Sequence, residues 1–329
     1  MATILIGIPT RNRPHYVKEA ISSVLDQTFQ DVRVLVSDND SEPAASRQVR
    51  QHIEELNDPR VSYYLQAENG GEYGQGRYFM RSLQDESYFM ILHDDDRLEP
   101  EHIEYGLSKL NTDPELAFFS SSQYLFDERG RTLEEMTEEY CRYQSRDRFP
   151  EGRMDDALEI LLEYGLFSIS GSIFRVSAIR EHGLVDDDCT GLYPFEFNVF
   201  LRIAERRLPA YYTPRKLSGY RWHNESMRNT DGSTLNLSMV ETLIRILEKR
   251  HFDGRAERLR KNLLSYNYRN YAFIQYVADN PTGCYQALLR GLRLNPMAPS
   301  IWAYLALAVF APFIIRRRWG PRINLAPPL

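Results

Sequence analysis

The chain has 329 residues, with 40 Lys+Arg against 46 Asp+Glu and a net charge of -6. This length suits one α/β domain and an appendage, and the acidic balance gives no reason to expect nucleic-acid partners, whose binding usually shows a basic face. Cys141, Cys189 and Cys284 are far apart and odd in number, which excludes a disulfide framework and a CxxC zinc site and points to a reducing compartment.

The chain opens on Met1 to Pro9, which reads as a strand and carries neither the basic segment nor the cleavage site of a secretory signal, so a cytoplasmic location is expected. Thr3 to Ile8 is an apolar strand, Pro9 to Pro14 a turn, and His15 to Leu25 a helix with Val17, Ala20, Ile21 and Val24 at helical spacing. Val32 to Val36 is a second strand ending in Ser37-Asp38-Asn39-Asp40-Ser41. Glu42 to Leu56 is a helix with Pro43 in its first turn, where a missing N–H costs little. Val61 to Leu65 is a third strand, followed by the loop Asn69-Gly70-Gly71 and a helix around Gln75 to Leu83, which carries Arg77. Strands alternating with helices predict a mixed, mostly parallel sheet flanked by helices.

The fourth strand, Tyr88 to Leu92, runs straight into His93-Asp94-Asp95-Asp96. Adjacent buried carboxylates repel one another, and a hard divalent cation with oxygen ligands turns that repulsion into a binding site. A strand end is the right place for one, because ligands of open α/β sheets sit beyond the carboxyl ends of the strands. A solvated acidic turn is the alternative.

Beyond about residue 235 the chain turns helical, giving expected domains of 1–234 and 235–329, the second with helices over Leu235 to Phe252, Ala256 to Val277 and Thr282 to Leu294. Ile301 to Ile315 is apolar, broken by Pro312 and followed by Arg316-Arg317-Arg318. It falls short of the ~20 residues that span a bilayer. Peripheral contact with the cytoplasmic face of the membrane through an interfacial helix is expected, with burial against protein as the alternative.

Four motifs in order resemble the inverting glycosyltransferases of family 2, over about residues 3 to 225: Pro9-Thr10-Arg11-Asn12-Arg13, Asp38-Asn39-Asp40-Ser41, Asn69-Gly70-Gly71 and His93 to Asp96. The resemblance implies a GT-A-type, Rossmann-like fold and a nucleotide-sugar donor. It places Pro9, Thr10, Arg11, Arg13, Asn69, Gly70, Arg77 and Asp94 at the donor nucleotide. Asp38 would accept from the base, as a carboxylate suits a pyrimidine imide N–H; a helix cap or Asx turn is its other reading. Arg11 and Arg13 would meet the donor phosphates or simply be exposed beside a turn. His93 stands where the family's first Asp would be, which leaves Asp95 as the direct ligand of Mn²⁺ or Mg²⁺, assisted by Asp96.

The family's base is an acid ahead of a helix with an Arg six positions later, and Glu196 with Arg202 fits that register. The family usually has Asp there, preceded by Glu; here Phe195 precedes it. Asp186, Asp187 and Asp188 therefore stay as alternatives, and a Glu serving only the helix dipole is another. Tyr220-Arg221-Trp222-His223 matches the family's Tyr-Arg-x-His element, so Arg221 would neutralise the leaving diphosphate and His223 would bind metal or phosphate. The loop Ser226 to Ser233 would close over the donor, and Leu166 to Phe174 would line the acceptor side.

The expected function is a metal-dependent inverting transfer from a UDP-sugar to a glycan or lipid-linked glycan in cell-surface polysaccharide synthesis. The alternatives are a nucleotidyltransferase, which would show a Gly-rich loop with Lys after the first strand, and a non-catalytic nucleotide-sugar-binding scaffold.

Overall fold

The structure, a computed structural model, describes residues 3–181, 183–191, 193–223, 235–310, 317 and 323–324. Its contacts divide the chain into two units, Met1–Trp222 and His223–Leu329. The boundary expected after residue 234 follows residues 224–234, which lie outside the described residues, as does the loop expected to close over a donor.

In the first unit the strands are β1 (Ile4–Thr10), β2 (Val32–Asp38), β3 (Val61–Leu65), β4 (Tyr88–Ile91), β5 (Arg97–Leu98), β6 (Phe118–Phe126), β7 (Gly152–Met154), β8 (Ile173–Arg175) and β9 (Ala210–Arg221). The helices are α1 (Pro14–Leu25), α2 (Pro43–Leu56), α3 (Gly71–Ser82), α4 (His102–Thr112), α5 (Glu134–Tyr143), α6 (Ala157–Tyr164), α7 (Val176–Arg180) and α8 (Phe195–Ala204). The strands form one sheet in the order β3-β2-β1-β4-β8-β6-β9-β5, with β7 on β9. β3 to β4 across this edge are all parallel, β6 and β9 are parallel, and β8, β5 and β7 run antiparallel to their neighbours.

Burial explains the composition of the strands. β1 and β4 sit inside the sheet with both faces covered and are apolar almost throughout, whereas β3, at the edge, exposes Tyr64 and Leu65. Val17, Ala20, Ile21 and Val24 of α1 pack with Ile4, Ile6, Ile8 and Met90 in the core. Register aligns the ends of β1 and β2, with Thr10 opposite Asp38, while β4 stops at Ile91 opposite Gly7, so that the turn after it runs alongside the end of β1.

Two features differ from the expectation. α3 begins at Gly71, four residues ahead of Gln75, because the paired glycines that read as loop are the helix start itself. The buried strand β6 carries Ser120 to Gln123 in its middle, and its register with β9 shifts there; a polar core segment and a bulge both erase the apolar signature.

His102, at the start of α4, is buried with its ring nitrogens 3.0 Å from the Leu217 carbonyl oxygen and 2.7 Å from that of Gly171. It ties the helix to β9 and to the loop before β8.

The second unit contains helices Leu237–Glu248, Gly254–Val277, Pro281–Leu294 and Pro299–Phe310. Asn236 and Asn280 cap the first and third of these by accepting from the backbone N–H of Met239 and Gly283. Trp302, Val309 and Phe310 of the last helix are exposed. Among the described residues no helix is long and apolar enough to cross a membrane; the rest of the expected interfacial segment, 311–316, lies outside them.

Replacing His102 with Ala strips a buried carbonyl of its N–H donor and opens a cavity, at a cost of about 3 kcal/mol or more. Urea unfolding should show a clearly lower midpoint; an unchanged midpoint would contradict this role.

Candidate active site

The acidic turn after β4 is buried: Asp94 is 6 %, Asp95 9 % and Asp96 1 % exposed. Three groups hold it together. Thr10, on the neighbouring strand end, donates its hydroxyl to Asp94 Oδ2 at 2.7 Å. Arg13 places Nη1 2.8 Å from Asp95 Oδ2 and 3.4 Å from Asp94 Oδ1. The backbone N–H of Arg221 donates to Asp96 Oδ1 at 3.1 Å, and its Nε donates to the Asp95 carbonyl at 2.9 Å.

One oxygen is left over. Asp96 Oδ2 is buried without a hydrogen-bond partner among the described residues, and it lies 3.9 Å from His93 Nδ1. Burial and then the Asp95 charge push the Asp94 carboxyl up to about 7 and that of Asp96 well above the usual carboxylate range. Burial lowers His93, keeping its imidazole neutral and able to ligate. One ligand atom each of His93, Asp95 and Asp96 lie within 4.8 Å of one another. A neutral imidazole, carboxylates with raised proton affinity and an orphaned oxygen fit a divalent cation such as Mn²⁺ or Mg²⁺.

Glu196 is the second residue of α8, and its Oε2 accepts from the Ile169 N–H at 3.0 Å. The next residue in that loop, Ser170, accepts from the His93 N–H at 3.1 Å. The segment 166–174 thus bridges the candidate base and the acidic turn. Asp186 is committed elsewhere: it accepts from Arg202 at 3.0 Å and from Asn198 Nδ2 at 3.0 Å.

Around the expected nucleotide pocket the side chains divide. Asp38 is fully buried, with Oδ1 accepting from the Ser41 N–H and Oδ2 from the Ser46 and Tyr63 hydroxyls. Three of a carboxylate's roughly four acceptor directions are therefore used. Asn69 bonds Asn39 and the Gly71 N–H, while the Gly70 N–H donates to Asn39, which fixes the loop to the end of β2. Arg11 is exposed on a cavity of about 470 Å³ that Asp40, Ser46, Arg47 and Arg50 also line.

Three basic residues expected at the donor are engaged by protein groups. Arg13 bridges the carboxylates, because two buried acids draw the nearest cation. Arg77 donates Nη2 to the carbonyls of Asp186, Asp187 and Cys189, at 3.0, 3.0 and 2.6 Å, and so clamps a loop. Arg221 is buried, its guanidinium paired with Glu19, 3.4 Å from the Asp127 carbonyl and stacked on Tyr16 and Phe126; it supports the acidic turn from beneath. His223 is buried and belongs to the second unit.

Sequence reasoning missed Glu72. It is the second residue of α3, in range of the charges of Glu196 and Asp95, and burial followed by those two charges pushes its carboxyl up to about 8. Its signal was an acid one turn into a helix, hidden because that helix was read as starting at Gln75.

Comparison with known proteins agrees with this geometry. The model of glycosyl transferase family 2 matches residues 5–182. An uncharacterized glycosyltransferase of Rickettsia conorii is 27% identical over 226 residues, 68% of this chain and 34% of the relative. Chondroitin synthase of Escherichia coli is 28% identical over 130 residues, 40% of this chain and 18% of the relative. The chain thus spans about a third or less of these relatives' length. S. aureus TarS in complex with UDP-GlcNAc superposes with a TM-score of 0.65 at 13% identity, covering 99% of this chain and 93% of that one. The mannosyltransferase PcManGT of Pyrobaculum calidifontis, in complex with GDP-Man and Mn2+, gives 0.56 at 13% identity, covering 97% and 83%. The sheet order and these superpositions make the fold GT-A, and with more than half its length matched the chain belongs to glycosyl transferase family 2.

Proposed function

We propose that this chain is a metal-dependent inverting glycosyltransferase that moves a sugar from a nucleoside diphosphate donor, a UDP-sugar, to a hydroxyl of a glycan or lipid-linked glycan during cell-surface polysaccharide synthesis. The observation that carries the reading is the pairing of Glu196 with the acidic turn through adjacent residues, Ile169 and Ser170. One carboxylate stands beside a second group of acids equipped for a cation, which is what base-assisted displacement at a metal diphosphate requires. The UDP-GlcNAc and the GDP-Man with Mn2+ bound by TarS and PcManGT support the donor class and the ion.

Asp95, Asp96 and His93 would hold Mn²⁺ or Mg²⁺, and the ion would offset charge on the leaving diphosphate. Glu196 removes the proton from the acceptor hydroxyl as it attacks, its orientation set by the Ile169 N–H. Asp38 offers its last acceptor direction to the base N–H. Pro9, Thr10 and Arg11 would line the nucleotide, and Arg13, held at Asp94 and Asp95, would lie close enough to meet the donor phosphates. The exposed Trp302, Val309 and Phe310, followed in sequence by Arg316 to Arg318, support peripheral contact with an anionic cytoplasmic leaflet.

Glu196→Gln should lower Mn²⁺-dependent donor hydrolysis and transfer by roughly 10²–10⁴-fold, with UDP affinity by calorimetry within about twofold of wild type. Equal loss of UDP binding, or undiminished turnover, would count against Glu196 as base.

Protons held on Asp94 and Asp96 must leave when a cation binds, so Mn²⁺ with UDP should bind more tightly as pH rises from about 6 to 8. Calorimetry in two buffers of different ionisation enthalpy should register proton release; a flat pH profile with none would refute the metal assignment.

The same raised carboxyls act on folding with a definite sign. Below about pH 4 folded and unfolded chains are both protonated there; above it only the unfolded chain ionises, so their contribution lowers stability as pH climbs towards 7. Asp96→Asn should therefore melt a few degrees higher than wild type at pH 7 without metal while losing Mn²⁺-dependent UDP binding. A lower melting temperature would show that Asp96 stabilises the fold.

A further inference from the structure

The polar centre of β6, Ser120 to Gln123, leads to a buried cation. Arg146 lies in the single-turn helix Arg146–Arg148 that follows α5 and is only 3 % exposed. Its Nη1 donates to Gln123 Oε1 at 3.1 Å, and its guanidinium stands over the Tyr140 ring, 5.0 Å from the centroid. Both partners are neutral. Among the described residues no carboxylate pairs with Arg146, its Nε is buried without a hydrogen-bond partner, and its Nη2 makes no hydrogen bond.

A guanidinium keeps its charge throughout the pH range of a folded protein, so burial cannot be relieved by loss of a proton as it can for a lysine or a carboxylic acid. Buried charges are therefore ordinarily paired. Arg221, the other buried arginine of the first unit, has Glu19; Arg146 has no such acid. Its free donors are not scattered either. Nε–H and one N–H of Nη2 point the same way along one edge of the planar group, the edge that meets both oxygens of a carboxylate or a phosphate.

Gln123 ties this edge to the cleft. It sits where β6 shifts register against β9, the kind of bulge that re-aims a side chain, and its Nε2 donates to the Ser170 carbonyl at 3.5 Å. Ser170 accepts from the His93 N–H, and Ile169 before it holds Glu196. One carboxamide thus joins the guanidinium to the loop between the candidate base and the acidic turn, where an acceptor hydroxyl must arrive. Beside the guanidinium, Tyr140 stacks on Tyr220 with centroids 6.1 Å apart and planes at 9°. Both rings are half-buried, so an aromatic surface adjoins the cation.

We propose that Arg146 is an acceptor-binding residue whose Nε–Nη2 edge takes an anionic group of the acceptor, the carboxylate of a hexuronate or the oxygens of a phosphodiester, so that the enzyme accepts anionic chains in preference to neutral ones. The assignment rests on the glycosyltransferase reading above. In that reading the donor diphosphate meets the cation at the acidic turn and Arg13, which leaves the acceptor to supply the acid that Arg146 lacks.

The test titrates the protein, held with Mn²⁺ and UDP, with three tetramers by calorimetry: heparosan tetrasaccharide, which carries glucuronate, a glycerol phosphate tetramer, which carries phosphodiesters, and chitotetraose, which is neutral. Wild type should bind one anionic tetramer at least about 10-fold more tightly than chitotetraose, and the preferred one identifies the anion. The preference should persist in about 0.5 M NaCl, where diffuse attraction is screened. Arg146→Lys, which keeps the charge and loses the fork, should weaken the preference, and Arg146→Gln should erase it, both losses being confined to the anionic tetramer. Should Arg146→Gln fail to fold, the wild-type ranking and Arg146→Lys still decide. A fall shared equally by neutral and anionic tetramers would show a structural role and overturn the proposal. Equal wild-type affinity for chitotetraose, binding of no tetramer, a preference lost in salt, or one that Arg146→Gln retains would also overturn it, while Mn²⁺-dependent UDP binding keeps the enzyme reading intact. Absence of UDP binding with Mn²⁺ would overturn both.

Discussion

Three carboxylates in a row at the buried end of a strand cannot all be charged without compensation, and the first unit is arranged around that fact. Thr10, Arg13 and the backbone of Arg221 each relieve part of the repulsion, and they come from distant parts of the chain. What they leave is an oxygen of Asp96 with no hydrogen-bond partner among the described residues and two carboxyls, Asp94 and Asp96, whose proton affinity is raised. Such a site sacrifices stability for readiness to bind, the usual relation between function and marginal folding energy.

The sheet makes the arrangement possible. Parallel strands β1 and β2 end level, and β4 stops beside Gly7, so the acidic turn runs along the end of β1 and meets Thr10 there. The antiparallel strand β8 returns the chain beside β4, and its leading loop carries Ile169 and Ser170 between the acidic turn and α8. Arg77 clamps the loop that carries Asp186, Asp187 and Cys189, and Arg221 braces the acidic turn with Glu19 as its own counter-ion.

Much of this was legible from residue order. β1, β2 and β4 announced themselves because strands covered on both faces must be apolar, and Pro43 marked a helix start where its missing N–H is harmless. The acidic turn stood out because charge directly after a buried strand is unusual. Less legible were β6 and β9, whose polar centre and register shift disguise their burial. The roles of Arg13, Arg77 and Arg221 could not be read from residue type, since a guanidinium pairs with whichever acceptor folding brings nearest. Glu72 was hidden by the Gly70-Gly71 pair, of which Gly71 lets α3 approach Gly191, because paired glycines read as a loop rather than as a close contact.

The central claim is spatial: the His93 to Asp96 turn binds a divalent cation beside Glu196. Anomalous diffraction at the manganese edge, from crystals grown with Mn²⁺ and UDP, tests it most directly. The account predicts one strong peak within bonding distance of Asp95 and Asp96, with the UDP phosphates on its far side. A manganese peak away from the turn, or UDP ordered at the strand ends with no manganese beside it, would contradict it.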